Sequence, residues 1–402
     1  MMAAAIPPLA AQTRPSNLAG INQVDRECWR TDPDYSPEII SAWRGMGLGL
    51  DVPRKPEDPK WEIWLEFNRQ RFRDCVRKRM DLLQKESPAT RFAFKNLYTS
   101  RVPEKPELPV DYLISETSNH IRLDTRYLAQ TGKEWGYKAT NTQEAALVLA
   151  QGGLLFEDEA EISRFSRERQ SFCQNSQSLS EVAVLFSRTS LYRKSNQLFG
   201  DWGQHVAPCT ALLDALIQCH SSVDIMPDWV PLTWPVLAIP EWEEIGDALA
   251  RQIAGQVRDG LKLILIGAPN ARKFKTLLGL KLDLSPEATM HEIGKGRVVW
   301  ASQPASASVK QCLEALGPAQ ISIKDTKAAL ELVIRKQDQR TVLHFINRAK
   351  PLAVQQVRLK LPISPKKISW EPSGRPIQFN WREGYLTFET PPISLHSMAV
   401  IN

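Results

Sequence analysis

Six cysteines in 402 residues, with no Cys-x-x-Cys pair among them, leave no zinc-ligand spacing and no disulfide framework to read. Cys28, Cys75, Cys173, Cys209, Cys219 and Cys312 are scattered, several beside apolar residues on predicted helices, where a free thiol acts as a small hydrophobe. Free thiols favour a reducing compartment, so a cytoplasmic protein is expected. No apolar run approaches the length of a membrane span, which excludes a membrane partner of that kind. Residues 1–19 are rich in Ala and Pro but lack a basic start and an unbroken apolar core, so no signal peptide is expected. Charge of one sign is also missing. The 51 basic and 45 acidic residues leave +6, too mild an excess for a nucleic-acid partner. The densest basic stretch, residues 69–79, alternates with Phe72, Cys75 and Val76 at helical spacing and reads as a solvated helix face. Neither a P-loop nor a Gly-x-Gly-x-x-Gly after a strand is present, and no Gly-x-Ser or Gly-x-Cys elbow ends a strand in the middle of the chain. Nucleotide binding and a nucleophile of that type therefore have no support, and neither a metal nor a cofactor is expected.

What is present is an alternation of strands and helices. Residues 21–29, 90–98, 110–115, 134–139 and 153–156 read as strands. Residues 61–85, with Trp61, Trp64, Leu65, Phe72, Val76, Met80 and Leu83 mostly three and four apart, form the clearest helix. Short helices are expected over 36–46, 125–132 and 142–151. Such alternation argues for a parallel α/β unit in residues 1–178. With five strands it is too short for a whole eight-fold barrel and reads as the C-terminal part of one.

Residues 179–321 repeat the alternation with a fully apolar strand at 182–186 and further strands at 223–226, 235–239, 261–266 and 297–301, the pattern of an open doubly wound sheet. Residues 322–402 carry short alternating runs separated by turn residues, as in a small antiparallel β-sandwich.

Three stretches resemble family 42 β-galactosidases and related glycosyl hydrolases with a β-galactosidase trimerisation-like domain. Gln23-Val24-Asp25-Arg26-Glu27-Cys28 is similar to the family's strand-four segment, where the acid/base Glu follows an Asn; here Arg26 takes that place. Residues 64–83 look like its long helix before strand five. Leu343-His344-Phe345-Ile346-Asn347 and the ending from Pro391 look like its last domain. The resemblance implies a partial TIM-type (β/α) barrel, a flavodoxin-like, glutamine amidotransferase-like domain and a closing β-sandwich. It also implies a carbohydrate substrate and a homo-oligomer, the trimer being the form that the domain's likeness points to. Strands one to three of the barrel have no counterpart, and the stretch matching strand seven, residues 133–140, has no carboxylate at its end.

Glycosidic hydrolysis takes two carboxylates, one as proton donor and one as nucleophile or base. The pair expected is Glu27 as acid/base and Glu116 as partner, each near the C-terminal end of a predicted strand, where barrel enzymes keep their chemistry. Asp25, Trp29, Asp111, Tyr112, Asn119 and His120 are the expected substrate-binding residues. The competing expectation is a non-catalytic, carbohydrate-binding or structural remnant of such an enzyme. Half a barrel also leaves strand edges to cover, which again favours self-association.

Overall fold

In the computed structural model the described residues are 18–20, 28, 30–89, 91–95, 97–116, 119–156, 159–193, 195–200, 205–242, 245–280, 289–317, 319–324, 330–349 and 351–402. The expected strand at 21–29 lies outside them apart from Cys28.

The first sheet has five strands in sequence order, Leu18–Gly20, Arg91–Lys95, Tyr112–Glu116, Glu134–Lys138 and Leu154–Leu155, all parallel. Four of the five fall where the sequence put them. The register places Phe92, Phe94, Leu113, Trp135 and Tyr137 on one face. That face packs on Trp64, Leu65, Phe72 and Val76 of the helix Trp61–Glu86. The other face is charged and carries the candidate site.

The second sheet has six strands in the order Thr289–Ile293, Gly296–Ala301, Lys262–Ile266, Val236–Ile239, Val182–Phe186, Val223–Pro227. All neighbours run parallel except the Thr289–Ile293 edge. Helices Ala207–Gln218, Asp247–Asp259, Ala268–Leu278 and Ser306–Leu316 share its apolar core, through residues such as Leu212, Ile253, Phe274 and Val309. Val182–Phe186 and Lys262–Ile266 thus belong to one sheet, as their apolar runs suggested.

The remaining strands form two antiparallel sheets around a common core that includes Leu332, Phe345, Trp370, Val357 and Phe388. The six-stranded one includes Leu330–Gln337, Arg340–Asn347 and His396–Ile401, and the short strand Gln177–Ser178 joins its edge.

One finding corrects the cysteine reading. Cys28 and Cys75 form a disulfide, with Cα atoms 5.8 Å apart. The 47-residue separation gave no spacing signal, because only the docking of the long helix brings Cys75 to Cys28. Disulfides persist mainly in oxidising compartments, so the cysteines no longer argue for a reducing one. The other four are free thiols, of which Cys173, Cys209 and Cys312 are buried. Closing a loop of that length constrains the unfolded chain by about 4 kcal/mol in the chain-entropy picture. Cys75→Ser should therefore lower the unfolding free energy by roughly 2–4 kcal/mol. Urea denaturation of the variant checks this, and an unchanged midpoint would count against it.

No described helix is long and apolar enough to cross a membrane.

His344 and His396 stack inside the antiparallel region, both fully buried, with Nδ1 of His344 3.1 Å from Nε2 of His396. Burial and then the neighbouring imidazole drive His344 well below its ordinary value. Burial and then Arg169 bring His396 to about 3. Unfolded imidazoles titrate near 6.5, so below that pH the unfolded chain binds the extra protons and stability falls as pH drops toward 3. One imidazole kept neutral costs the fold about 2 kcal/mol between pH 7 and pH 5. Urea midpoints at those two pH values should differ accordingly; equal midpoints would contradict the buried neutral pair.

Candidate functional site

Side chains alternate across a strand, and cross-strand partners share a face. The register of the first sheet therefore sets Arg91, Ala93, Lys95, Tyr112, Ile114, Glu116, Glu134, Gly136 and Lys138 on the face turned away from the long helix. Its C-terminal half holds Lys95, Glu116 and Lys138 in neighbouring strands. Lys95 Nζ lies 2.8 Å from Glu116 Oε2, and the two side chains are 39% and 38% exposed. Ion pairs this open contribute about 0–1 kcal/mol, so a ligand can draw the carboxylate away at little cost. Phe156 lies over the same face: a Cβ on Gly136 would stand 1.9 Å from its ring, so only glycine leaves room for the aromatic there.

The loop after Arg91–Lys95 builds the rim behind Glu116. Tyr98 takes a left-handed conformation, φ 63°, and the turn closes through Tyr98 N–H to Val102 C=O at 3.0 Å. Arg101 is thereby aimed at the next strand. Its Nη2 donates to Ser115 Oγ at 3.0 Å and to the Glu116 carbonyl at 3.3 Å. Its Nε is 3.6 Å from the carboxylate of Asp124, which is fully buried and accepts from Ser100 Oγ. Arg101 thus ties the end of the Glu116 strand to the helix Ile121–Ala129.

The expected substrate residues divide between two ends of the sheet. His120 precedes that helix, and its carbonyl accepts from Leu123 N and Asp124 N at 2.9 and 2.8 Å; Asn119 is exposed beside it. Both stand at the Glu116 end. Asp111 and Tyr112 stand at the opposite one. Asp111 Oδ2 accepts from Phe92 N at 2.7 Å, and Arg91 covers the Tyr112 ring at 4.3 Å. Tyr112 and Glu116 share a face, but four strand residues separate them by about 13 Å. Asp111 and Tyr112 are therefore removed from the Glu116 set, since nearness in sequence along a strand is distance in space. Glu27, Asp25 and Trp29 lie outside the described residues.

Sequence reasoning missed Lys95, Ser100, Arg101, Asp124 and Phe156. Only Lys95 carried a signal, as a charge ending an apolar strand; the others depend on the turn at Tyr98 and on Gly136. Among the described residues no group of three or more His, Cys, Asp or Glu side chains is placed to hold a metal ion.

No family model matches the sequence, and no curated protein matches it. Solved structures do. α-L-Fucosidase isoenzyme 2 from Paenibacillus thiaminolyticus is similar at TM-score 0.66 and 14% identity, over 93% of this chain and 76% of its own. A β-galactosidase from Bacillus circulans sp. alkalophilus matches at 0.59 and 11%, over 84% and 67%. A rhamnosidase from Novosphingobium sp. PP1Y matches at 0.55 and 13%, over 92% of this chain but 43% of its own. At such identities the likeness is one of fold: a mixed α/β chain, with parallel and antiparallel sheets, similar to the folds of glycoside hydrolases.

Proposed function

We propose that this chain is a glycoside hydrolase, β-galactosidase-like in architecture, that cleaves a glycosidic bond with Glu116 and Glu27. The carrying observation is the position of Glu116. It ends a strand of a parallel sheet, on the face left free by the long helix, and barrel enzymes keep their chemistry at such strand ends. Glu27 follows the strand Leu18–Gly20 in sequence, and that strand neighbours Arg91–Lys95 in the same sheet. In this reading Glu27 carries the proton to the leaving oxygen and Glu116 attacks or activates water. Phe156 offers an apolar wall for a sugar ring, and Lys138, paired with Glu116 in the register, and Asn119, three residues beyond Glu116 in sequence, offer polar groups to its hydroxyls.

In the same reading residues 1–178 are the C-terminal part of a (β/α) barrel, 179–321 a flavodoxin-like domain and 322–402 a β-sandwich. The central strand order, with the first strand between the second and the third, supports the middle assignment. Self-association, as a trimer, goes with it and is tested by sedimentation.

The second reading, a non-catalytic carbohydrate-binding protein, has its own support. Among the described strand residues, Glu116 is the one acid on that half of the face, and it is already ion-paired. Chromogenic β-D-galactoside, α-L-fucoside and α-L-rhamnoside separate the two. Nitrophenolate release from any of them supports hydrolysis. Saturable binding of the free sugars without release supports the second reading, and neither result sinks both.

A further inference from the structure

A cleft of about 880 Å³ opens where the second sheet meets the antiparallel region, at the starts of strands Val236–Ile239 and Lys262–Ile266. That is the opposite end from the carboxyl ends, where α/β sheets ordinarily bind ligands. Its volume is that of small-molecule sites.

The acids in its wall are already committed. Asp224, 1% exposed, accepts from Ser178 Oγ at 2.9 Å, Ser180 Oγ at 3.1 Å and Trp234 Nε1 at 2.9 Å. Glu181 Oε2 accepts from Gln320 N at 2.8 Å. The bases make no salt bridge among the described residues. Lys262 and Lys360 line the cleft and make no ion pair among the described residues. Arg335, 5% exposed, also lines it and has no salt bridge there. Its Nε and Nη2 donate to Ser176 Oγ and C=O at 3.1 and 2.5 Å, and its Nη1 has no partner among the described residues. Gly152 makes room for this guanidinium, since a Cβ there would stand 2.8 Å from Nη2. Burial pulls Arg335 below its usual value, and the nearby Asp224 carboxylate opposes this only in part.

We propose that this cleft binds an acidic saccharide, its carboxylate meeting Arg335, Lys262 and Lys360 and a pyranose ring lying against Trp234. The hydrogen bond to Asp224 fixes the indole, and Gln130 and Gln177 line the cleft with amide groups for sugar oxygens. The site is separate from Glu116 and does not depend on hydrolysis there.

Calorimetric titration of the full chain with digalacturonate, lactose and citrate tests it. Digalacturonate should bind at least about tenfold tighter than either control, a difference of roughly 1.4 kcal/mol. The double variant Lys262→Gln/Lys360→Gln should weaken it by about the same factor, and Glu116→Gln should leave it unchanged. If the double variant does not fold, the wild-type affinity should still fall as salt rises from about 0.05 to about 0.5 M. Lack of saturation by digalacturonate, equal binding of lactose or citrate, loss of binding in Glu116→Gln, or indifference to both the lysines and salt would overturn the proposal.

Discussion

Replacing Glu331 with Ala should destabilise the protein by about 3–5 kcal/mol, the cost of leaving a buried cation without its partner. Glu331 lies on the antiparallel strand Leu330–Gln337 and is 1% exposed. Its Oε1 is 2.6 Å from Arg126 Nη2, and its Oε2 is 3.0 Å from Arg122 Nε. Burial alone would push this carboxyl up, but the two guanidiniums outweigh it and hold it below the ordinary carboxylate value. Arg126, itself 0% exposed, also donates to the Val223 carbonyl at 2.8 Å, on the second sheet. One arginine on the helix Ile121–Ala129 thus joins elements of three regions of the chain. Glu331→Ala leaves Arg126 with backbone carbonyls as its acceptors and no carboxylate, whereas Glu331→Gln keeps one side-chain acceptor and should cost less. Urea unfolding reads both. A loss below about 1 kcal/mol in the alanine variant would mean that water reaches the site and that the three regions are not clamped there.

Much of this fold was legible in the sequence. Several apolar runs of the second sheet are bounded by proline or glycine, as at Pro235, Pro240, Gly260 and Gly267, and fully buried parallel strands have no solvent face to interrupt them. The long helix declared itself through its Trp and Phe spacing. Boundaries drifted where a cap was atypical: the helix expected at 125–132 is Ile121–Ala129, preceded by His120, whose side chain makes no capping bond. The site was legible only in part. Glu116 stands at the end of its strand as expected, but Asp111 and Tyr112, its neighbours in sequence, are at the other end. Arg101, Asp124 and Phe156 reach the site through contacts set by the Tyr98 turn and by Gly136, which no local pattern encodes. The Cys28–Cys75 bond was hidden for the same reason.

The central claim rests on one carboxylate, and turnover by Glu116→Gln tests it most directly. The amide keeps the side chain's size and one acceptor oxygen but can neither attack an anomeric carbon nor take a proton from water. The partner lost from Lys95 is an exposed one, so unfolding should shift by less than about 1 kcal/mol. Removing a general base typically costs 10²–10⁴-fold, and removing a nucleophile at least as much. On whichever glycoside the wild-type chain hydrolyses, the account predicts that kcat in Glu116→Gln falls by at least about 10²-fold, with the urea midpoint unmoved. Wild-type kcat in a folded Glu116→Gln protein would contradict it.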